Sequence, residues 1–347
     1  MCRAIISRLA ISHFLIFAVI CSTGCGDKQP PSPPIDTSSN FIKGADISWV
    51  TEMEANSKKF FTTTGVEKEA TTLMKDLGMN AIRLRVWVNP LDGWNGLQDV
   101  INKAIRVKQL GLKLMLDFHY SDSWADPSKQ YPPQQWTSTE VAILQDSIKR
   151  HTLRVLDALW TQGVKPTWVQ IGNETNDGML WPMGKASQSM SNYAAFIKAG
   201  YQAVKSWDPN VYVIVHLSNG YDNALFRWNL DGLKQYGANW DIIGLSLYPT
   251  ATNWSMLNQQ CLANMQDLVS RYSTPVMICE VGMPWDQPDA ANSFLTDLIN
   301  KLKSVPQQMG LGIFYWEPQS YGNWKGYTLG AFDNSGKPTK AMNAFGN

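Results

Sequence analysis

Two glutamates stand in matching contexts about a hundred residues apart: Glu174 in WVQIGNETNDGMLWP and Glu280 in PVMICEVGMPW. Each closes a short β-branched, apolar run, and the sequence turns polar and aromatic just beyond it. Cleaving a glycosidic bond takes a proton for the leaving oxygen and charge stabilisation at the sugar carbon. Two carboxyl groups with unlike pKa values supply both. Glu174 is expected to be the acid/base, its pKa raised by burial and by the negative charge of Glu280, the expected nucleophile. Most glutamates are solvated surface groups, but a place at the end of an apolar strand argues against that for both.

Around this pair several residues are candidates for holding a sugar. Asn173 precedes the acid and is placed to bond a sugar 2-hydroxyl. Tyr248 is a candidate donor to the Glu280 carboxylate; a ring simply packed at a strand end is the competing reading. Arg83 and Arg85 share a parity, so both should point inward, where an arginine needs a carboxylate such as Glu280 or Asp117. Parity does not say which arginine meets the nucleophile. His119 and His216 end apolar runs, and without His-x-x-x-His or Cys spacing for zinc they are expected to bond substrate. Trp87 and Trp316 close runs of their own. In the loop Ser121-Asp122-Ser123-Trp124, Asp122 is either a turn former or a sugar contact, and Trp124 is expected to be a stacking platform.

Eight short apolar runs alternate with longer amphipathic ones from Phe41 onward. The predicted strands are Gly44–Trp49, Ala81–Trp87, Lys113–His119, Trp168–Gly172, Tyr212–Leu217, Ile242–Leu247, Pro275–Glu280 and Gly312–Trp316. Helical patterns cover Val66–Leu77, Leu97–Leu110, Thr139–Thr161, Gln188–Trp207, Asn223–Tyr236, Ser255–Tyr272 and Asp289–Lys303, with a short one near Lys340. Thr137 to Glu140 reads as a capping box, and Gly78, Gly111, Gly163 and Gly237 as helix stops. Strands separated by helices pair in parallel through right-handed crossovers. An open doubly wound sheet needs a Gly-rich first turn, and none is present. Almost every run ends in a polar or aromatic residue, as a closed ring facing one cleft requires. The expectation is an α/β fold of (β/α)8 TIM-barrel type, a single catalytic domain over residues 41–347.

Across 347 residues, 30 basic and 29 acidic side chains nearly cancel, which points away from nucleic acid and toward a neutral ligand. The 15 tryptophans exceed the needs of a core, although core filling should claim most of them. Residues 1–25 read as a secretory signal: Arg3 and Arg8, an apolar Leu9–Ile20, then Ser22-Thr23-Gly24-Cys25. Gly24-Cys25 matches the end of a bacterial lipobox, which would make Cys25 the lipid-carrying N-terminus of an exported protein at the outer membrane or cell surface. Ordinary cleavage nearby gives the secreted or periplasmic alternative. Residues 26–40, with several Pro and Ser, read as a tether. Only Cys261 and Cys279 remain in the folded part; buried free thiols are expected, a bridge between them being the other reading. By alternation from Glu280, Cys279 should face the helix layer. Nothing points beyond a monomer.

On the motifs GADISW at Gly44, IRLRVWVNP at Ile82, LDFHYSDSWADP at Leu116, IGNETNDGMLWP at Ile171, VHLSNGYD at Val215, IGLSLYP at Ile243 and FYWEP at Phe314, the sequence resembles the endo-β-1,4-galactanases of glycoside hydrolase family 53. Strand-four Asn-Glu with a strand-seven Glu is common to a whole clan of retaining barrel glycosidases, and alone it leaves mannanases and cellulases open. DFHYSDSWADP, GMLWP and WVNP are more family-specific. The resemblance implies hydrolysis of β-1,4-galactan, a neutral pectin side chain, with retention, and it carries the acid/base onto Glu174 and the nucleophile onto Glu280. Val281-Gly282-Met283-Pro284 departs from the family, where Thr commonly follows the nucleophile, so subsites of the seventh loop do not carry over. No cofactor is implied. Some bacterial relatives hold a structural calcium in long loops, and this sequence has no EF-type ligand run to support one. A non-catalytic surface glycan-binding lipoprotein is the alternative from another class.

Overall fold

The computed structural model describes residues 41–346; the leader, Cys25 and the tether lie outside the described residues. Eight strands form a closed parallel barrel in chain order. They are β1 (Ile42–Asp46), β2 (Ala81–Val86), β3 (Lys113–Phe118), β4 (Trp168–Ile171), β5 (Tyr212–Leu217), β6 (Ile242–Leu247), β7 (Val276–Val281) and β8 (Gly310–Trp316). The first and last are joined, with Ile42 opposite Gly312 and Asp46 opposite Trp316. Outside the strands lie α1 (Val50–Ala55), α2 (Ala70–Asp76), α3 (Leu97–Gln109), α4 (Val141–Thr161), α5 (Met190–Trp207), α6 (Asn223–Gln235), α7 (Trp254–Tyr272) and α8 (Pro288–Lys303), and a 3-10 turn over Lys340–Phe345. No helix among the described residues is long and apolar enough to cross a membrane.

The predicted barrel is therefore the observed one, and local chemistry accounts for the differences. Helix α1, six residues in the β1–α2 connection, is too short to show a period. Helix α2 starts at Ala70 rather than Val66 because the Glu69 carboxylate accepts from the Thr71 and Thr72 N–H groups, capping the helix there. The capping box at Thr137 does not form: Glu140 is the residue before the helix, and its own N–H donates to Ser138 Oγ at 3.0 Å. Gly78, Gly111, Gly163 and Gly237 each follow a helix with φ of 96°, 67°, 65° and 72°, the left-handed stop expected of them.

Inside the ring, side chains are layered along the axis. Ile42, Ala81, Met115, Trp168, Ile214, Ile242, Met277, Cys279 and Phe314 fill the lower part as one apolar cluster. Above them, toward the C-terminal ends of the strands, buried polar groups take over: Asp46, Arg83, Asp117, Gln170, His216, Ser246 and Glu280. Alternation along the strands delivers all of these except Glu280. Leu245 pairs with Ile278, but Ser246 pairs with Glu280, so Cys279 is an extra residue in β7. This bulge breaks the two-residue period and turns both Cys279 and Glu280 inward. The expectation that Cys279 faces the helix layer is thus corrected. Cys279 lies in the barrel interior, whereas Cys261 sits on α7 outside the wall, and both thiols are buried and free.

Candidate active site

Glu174 follows β4 in a turn that the surrounding structure holds tightly. Its φ is 45°, a left-handed conformation that costs a side-chain-bearing residue on the order of 1–3 kcal/mol. Several bonds hold it there. Gln130 Nε2 donates to the Asn173 carbonyl at 2.7 Å, the Thr175 N–H donates to the His216 carbonyl at 2.9 Å, and Asn229 Nδ2 donates to the Thr175 carbonyl at 3.0 Å. The Glu174 carboxyl meets the Ser246 hydroxyl. Ser246 in turn bonds His216 Nε2 at 2.8 Å, while His216 Nδ1 lies 2.9 Å from Gln170 Nε2. Burial and the neighbouring Arg83 hold His216 far below its usual pKa, hence neutral.

Glu280, on the bulge of β7, is 5% exposed. Its Oε1 meets Arg83 Nη2 at 2.8 Å, and its Oε2 accepts from the Tyr248 phenol at 2.9 Å. Arg83 also bonds Asp46 and Asp117, each at 2.8 Å, and this surrounding negative charge holds its own pKa well above normal. Burial raises both glutamates above the ordinary carboxylate range, with Arg83 pulling each of them down; the charge of Glu174 raises Glu280 further. Glu280 has a full positive charge and a phenolic donor against its oxygens, whereas the closest donor to Glu174 is a neutral hydroxyl. The anion of the pair therefore belongs on Glu280 and the proton on Glu174.

Beside the carboxyls lies a floor of indoles. Trp49 meets Trp316 at 5.1 Å and Trp124 at 5.7 Å between ring centroids, Trp124 meets Trp87 at 5.3 Å, and Trp316 meets Tyr327 at 4.7 Å, all edge to face. Trp124 and Trp316 keep part of their surface exposed. The Arg85 guanidinium lies under this floor, 4.3 Å from the Trp124 ring, and pairs with Glu317 at 2.6 Å. A cleft with two carboxyls of unequal proton affinity and flat aromatic faces can bind sugar rings and deliver a proton to the oxygen that joins them. Among the described residues no group of three or more His, Cys, Asp or Glu side chains could hold a metal ion.

The profile of glycosyl hydrolase family 53 matches residues 42–345. The chain belongs to that family. It is accordingly a glycosidase. A probable arabinogalactan endo-β-1,4-galactanase A of Neosartorya fischeri is 32% identical over 298 residues, 80% of this chain and 83% of that protein. An uncharacterised protein of Niallia circulans, from the region 5′ of bgaB, is 34% identical over 86% of this chain and 89% of its own length. Among solved structures, one from a study of two fungal β-1,4-galactanases superposes with a TM-score of 0.81 at 29% identity, covering 88% of this chain and 98% of its own. The family 53 catalytic domain of Ignisphaera aggregans gives 0.80 at 28% identity, covering 91% and 97%.

For this family 53 chain, the structure brings every expected site residue to one end of the barrel but changes what several of them touch. Arg83, and not Arg85, meets Glu280. Arg83, Arg85, Asp117, His119 and His216 are at most 3% exposed, and each is bonded to neighbouring side chains. His119 is occupied on both nitrogens, by Asp117 at 3.0 Å and by the Ala125 N–H at 3.1 Å, and Trp87 donates its indole N–H to it. Asp122 accepts the Asn89 and Gln134 N–H groups, so it joins two loops. Asn173 spends one amide proton on the Ala125 carbonyl at 2.8 Å, leaving the other for a ligand. Sequence reasoning passed over Asp46, Gln170 and Ser246, although each is a polar residue at an inward position of an apolar strand. Gln130 and Glu317 lie outside the strands, where no such parity marks them.

Proposed function

We propose that this glycosidase is an endo-acting β-1,4-galactanase that works with retention through Glu174 and Glu280. The observation that carries the mechanism is the unequal environment of the two carboxyls: Glu280 bonded to Arg83 and Tyr248, Glu174 to a hydroxyl alone. The substrate class rests on relatives named arabinogalactan endo-β-1,4-galactanase at 30–32% identity.

Glu174 delivers its proton to the leaving glycosidic oxygen as Glu280 attacks the anomeric carbon. The C1–O bond breaks, a bond from C1 to a Glu280 oxygen forms, and the freed chain leaves with a hydroxyl. Forming this ester consumes the charge of Glu280, so the pKa of Glu174 falls and it accepts a proton from incoming water. The resulting hydroxide displaces Glu280 from the same face the first sugar left. Asn173 offers its remaining amide proton to the 2-hydroxyl, and Trp124 and Trp316 stack the rings. The reaction needs no cofactor, and the chain acts as a monomer, exported and held by lipid on Cys25.

The test is digestion of β-1,4-galactan, mannan and β-glucan, with products separated by size. Galactan alone should yield short oligosaccharides, and Glu174→Gln or Glu280→Gln should lower that rate by about a thousandfold. Cleavage of mannan or glucan in preference moves the substrate assignment; full activity in either variant overturns the roles.

A further inference from the structure

We infer that a second sugar-binding site, separate from the cleft, lies on the flank of the barrel's catalytic end, where the segment after β2 meets the β3–α4 connection and helix α4. A cavity of about 480 Å³ opens there, lined among others by Val88, Trp136, Ser147, Arg150, His151 and Arg154. That volume is in the range of small-ligand pockets, roughly 300–1,000 Å³.

Its chemistry suits a neutral polyol ring. Trp136 is half-buried, its indole braced against Tyr120 at 6.3 Å and His151 at 6.2 Å. Arg154 is exposed and makes no ion pair or hydrogen bond among the described residues. Arg150 is already paired with Asp146 at 3.0 Å, and burial lowers the pKa of His151 to about 4, so it carries no charge at neutral pH. With only one unpaired cation, the cavity lacks the converging charges of an anion site. His151 is 8% exposed and its Nε2 has no hydrogen-bond partner. A sugar offers an apolar ring face for the indole and hydroxyls for the Arg154 guanidinium and Ser147 together.

The site is distinct from the cleft. Asp122 links the N–H groups of Asn89 and Gln134, which adjoin Val88 and Gln135 of the cavity wall. Neither Glu174, Glu280 nor any of Trp49, Trp87, Trp124 and Trp316 lines the cavity. That the sugar is galactan rests on the proposed function; the existence of the site does not.

The experiment compares the full chain with Trp136→Ala and Arg154→Ala, by affinity electrophoresis in galactan gels and by kinetics on polymeric galactan and on β-1,4-galactotriose. Arg154→Ala changes only a surface group, so it reads the site even where Trp136→Ala fails to fold. The KM for polymer should rise about tenfold with kcat unchanged, the KM for galactotriose should stay the same, and gel retardation should weaken. No change on polymer in Arg154→Ala, or an equal rise on both substrates, overturns the site. Should the wild-type chain cut no galactan, the function reading fails alone. Retardation kept by Glu280→Gln and weakened by Arg154→Ala in the same gels still supports the site.

Discussion

One guanidinium, Arg83, meets three carboxylates: Asp46, Asp117 and Glu280. A single positive charge cannot neutralise all three, so Glu280 depends on its second donor, the Tyr248 phenol, to stay ionised. Removing that donor in Tyr248→Phe favours the acid over the anion and raises the Glu280 pKa. The acidic limb of the kcat/KM profile should move up by about one pH unit, with a loss of about tenfold at low pH. An unmoved limb would show that the phenol only packs. Glu174 carries a stability consequence as well. Its pKa is raised by burial, so as pH climbs above the ordinary glutamate value the unfolded chain releases this proton before the folded one does. Stability is therefore lost with rising pH across that window. Glu174→Gln should raise Tm relative to the wild type at pH 8 and much less at pH 4, read by thermal denaturation. Equal differences at both pH values contradict the assignment of the proton.

Among the elements, β7 delivers Glu280, the proposed nucleophile, by an irregularity rather than by its pattern. Parity placed Arg83 and Arg85 inside the barrel because β2 is regular, and the same rule misplaced Cys279 because β7 holds an extra residue. A bulge leaves no mark in a run as uniformly apolar as the VMIC before Glu280, so only pairing against β6 exposes it. Helix ends divide in the same way. Glycine stops were legible because a positive φ has few occupants, whereas the start of α2 hangs on Glu69, a residue type that capping preferences rank low. The stops differ in what they face. At Gly78 an added Cβ would lie 2.3 Å from the Phe345 carbonyl oxygen, while at Gly111 it would meet nothing within 4 Å. Gly111→Ala should cost about 1 kcal/mol from backbone strain, and Gly78→Ala clearly more, because the C-terminal turn must shift. Denaturant midpoints that fall equally in both would refute the close contact.

At the scale of the whole molecule, closure of the barrel makes a site from residues spread between positions 46 and 317. Closure was legible because nearly every strand ends in a polar or aromatic residue, a demand that an open sheet does not make. The pairing of the glutamates followed from it, since strands four and seven can share one cleft only in a ring. What alternation could not reveal was the division of labour between sugar contacts and their supports. His119 and His216 end strands as a sugar-binding histidine would, yet both are spent on neighbouring side chains. That distinction depends on packing from loops such as the one bearing Gln130. The most direct test of the whole account is the anomeric form of the first product, followed by proton NMR during hydrolysis of β-1,4-galactotetraose. Double displacement by Glu280 and Glu174 predicts the β-anomer first, with the α-anomer growing in only by mutarotation; α-anomer as the initial product would contradict it.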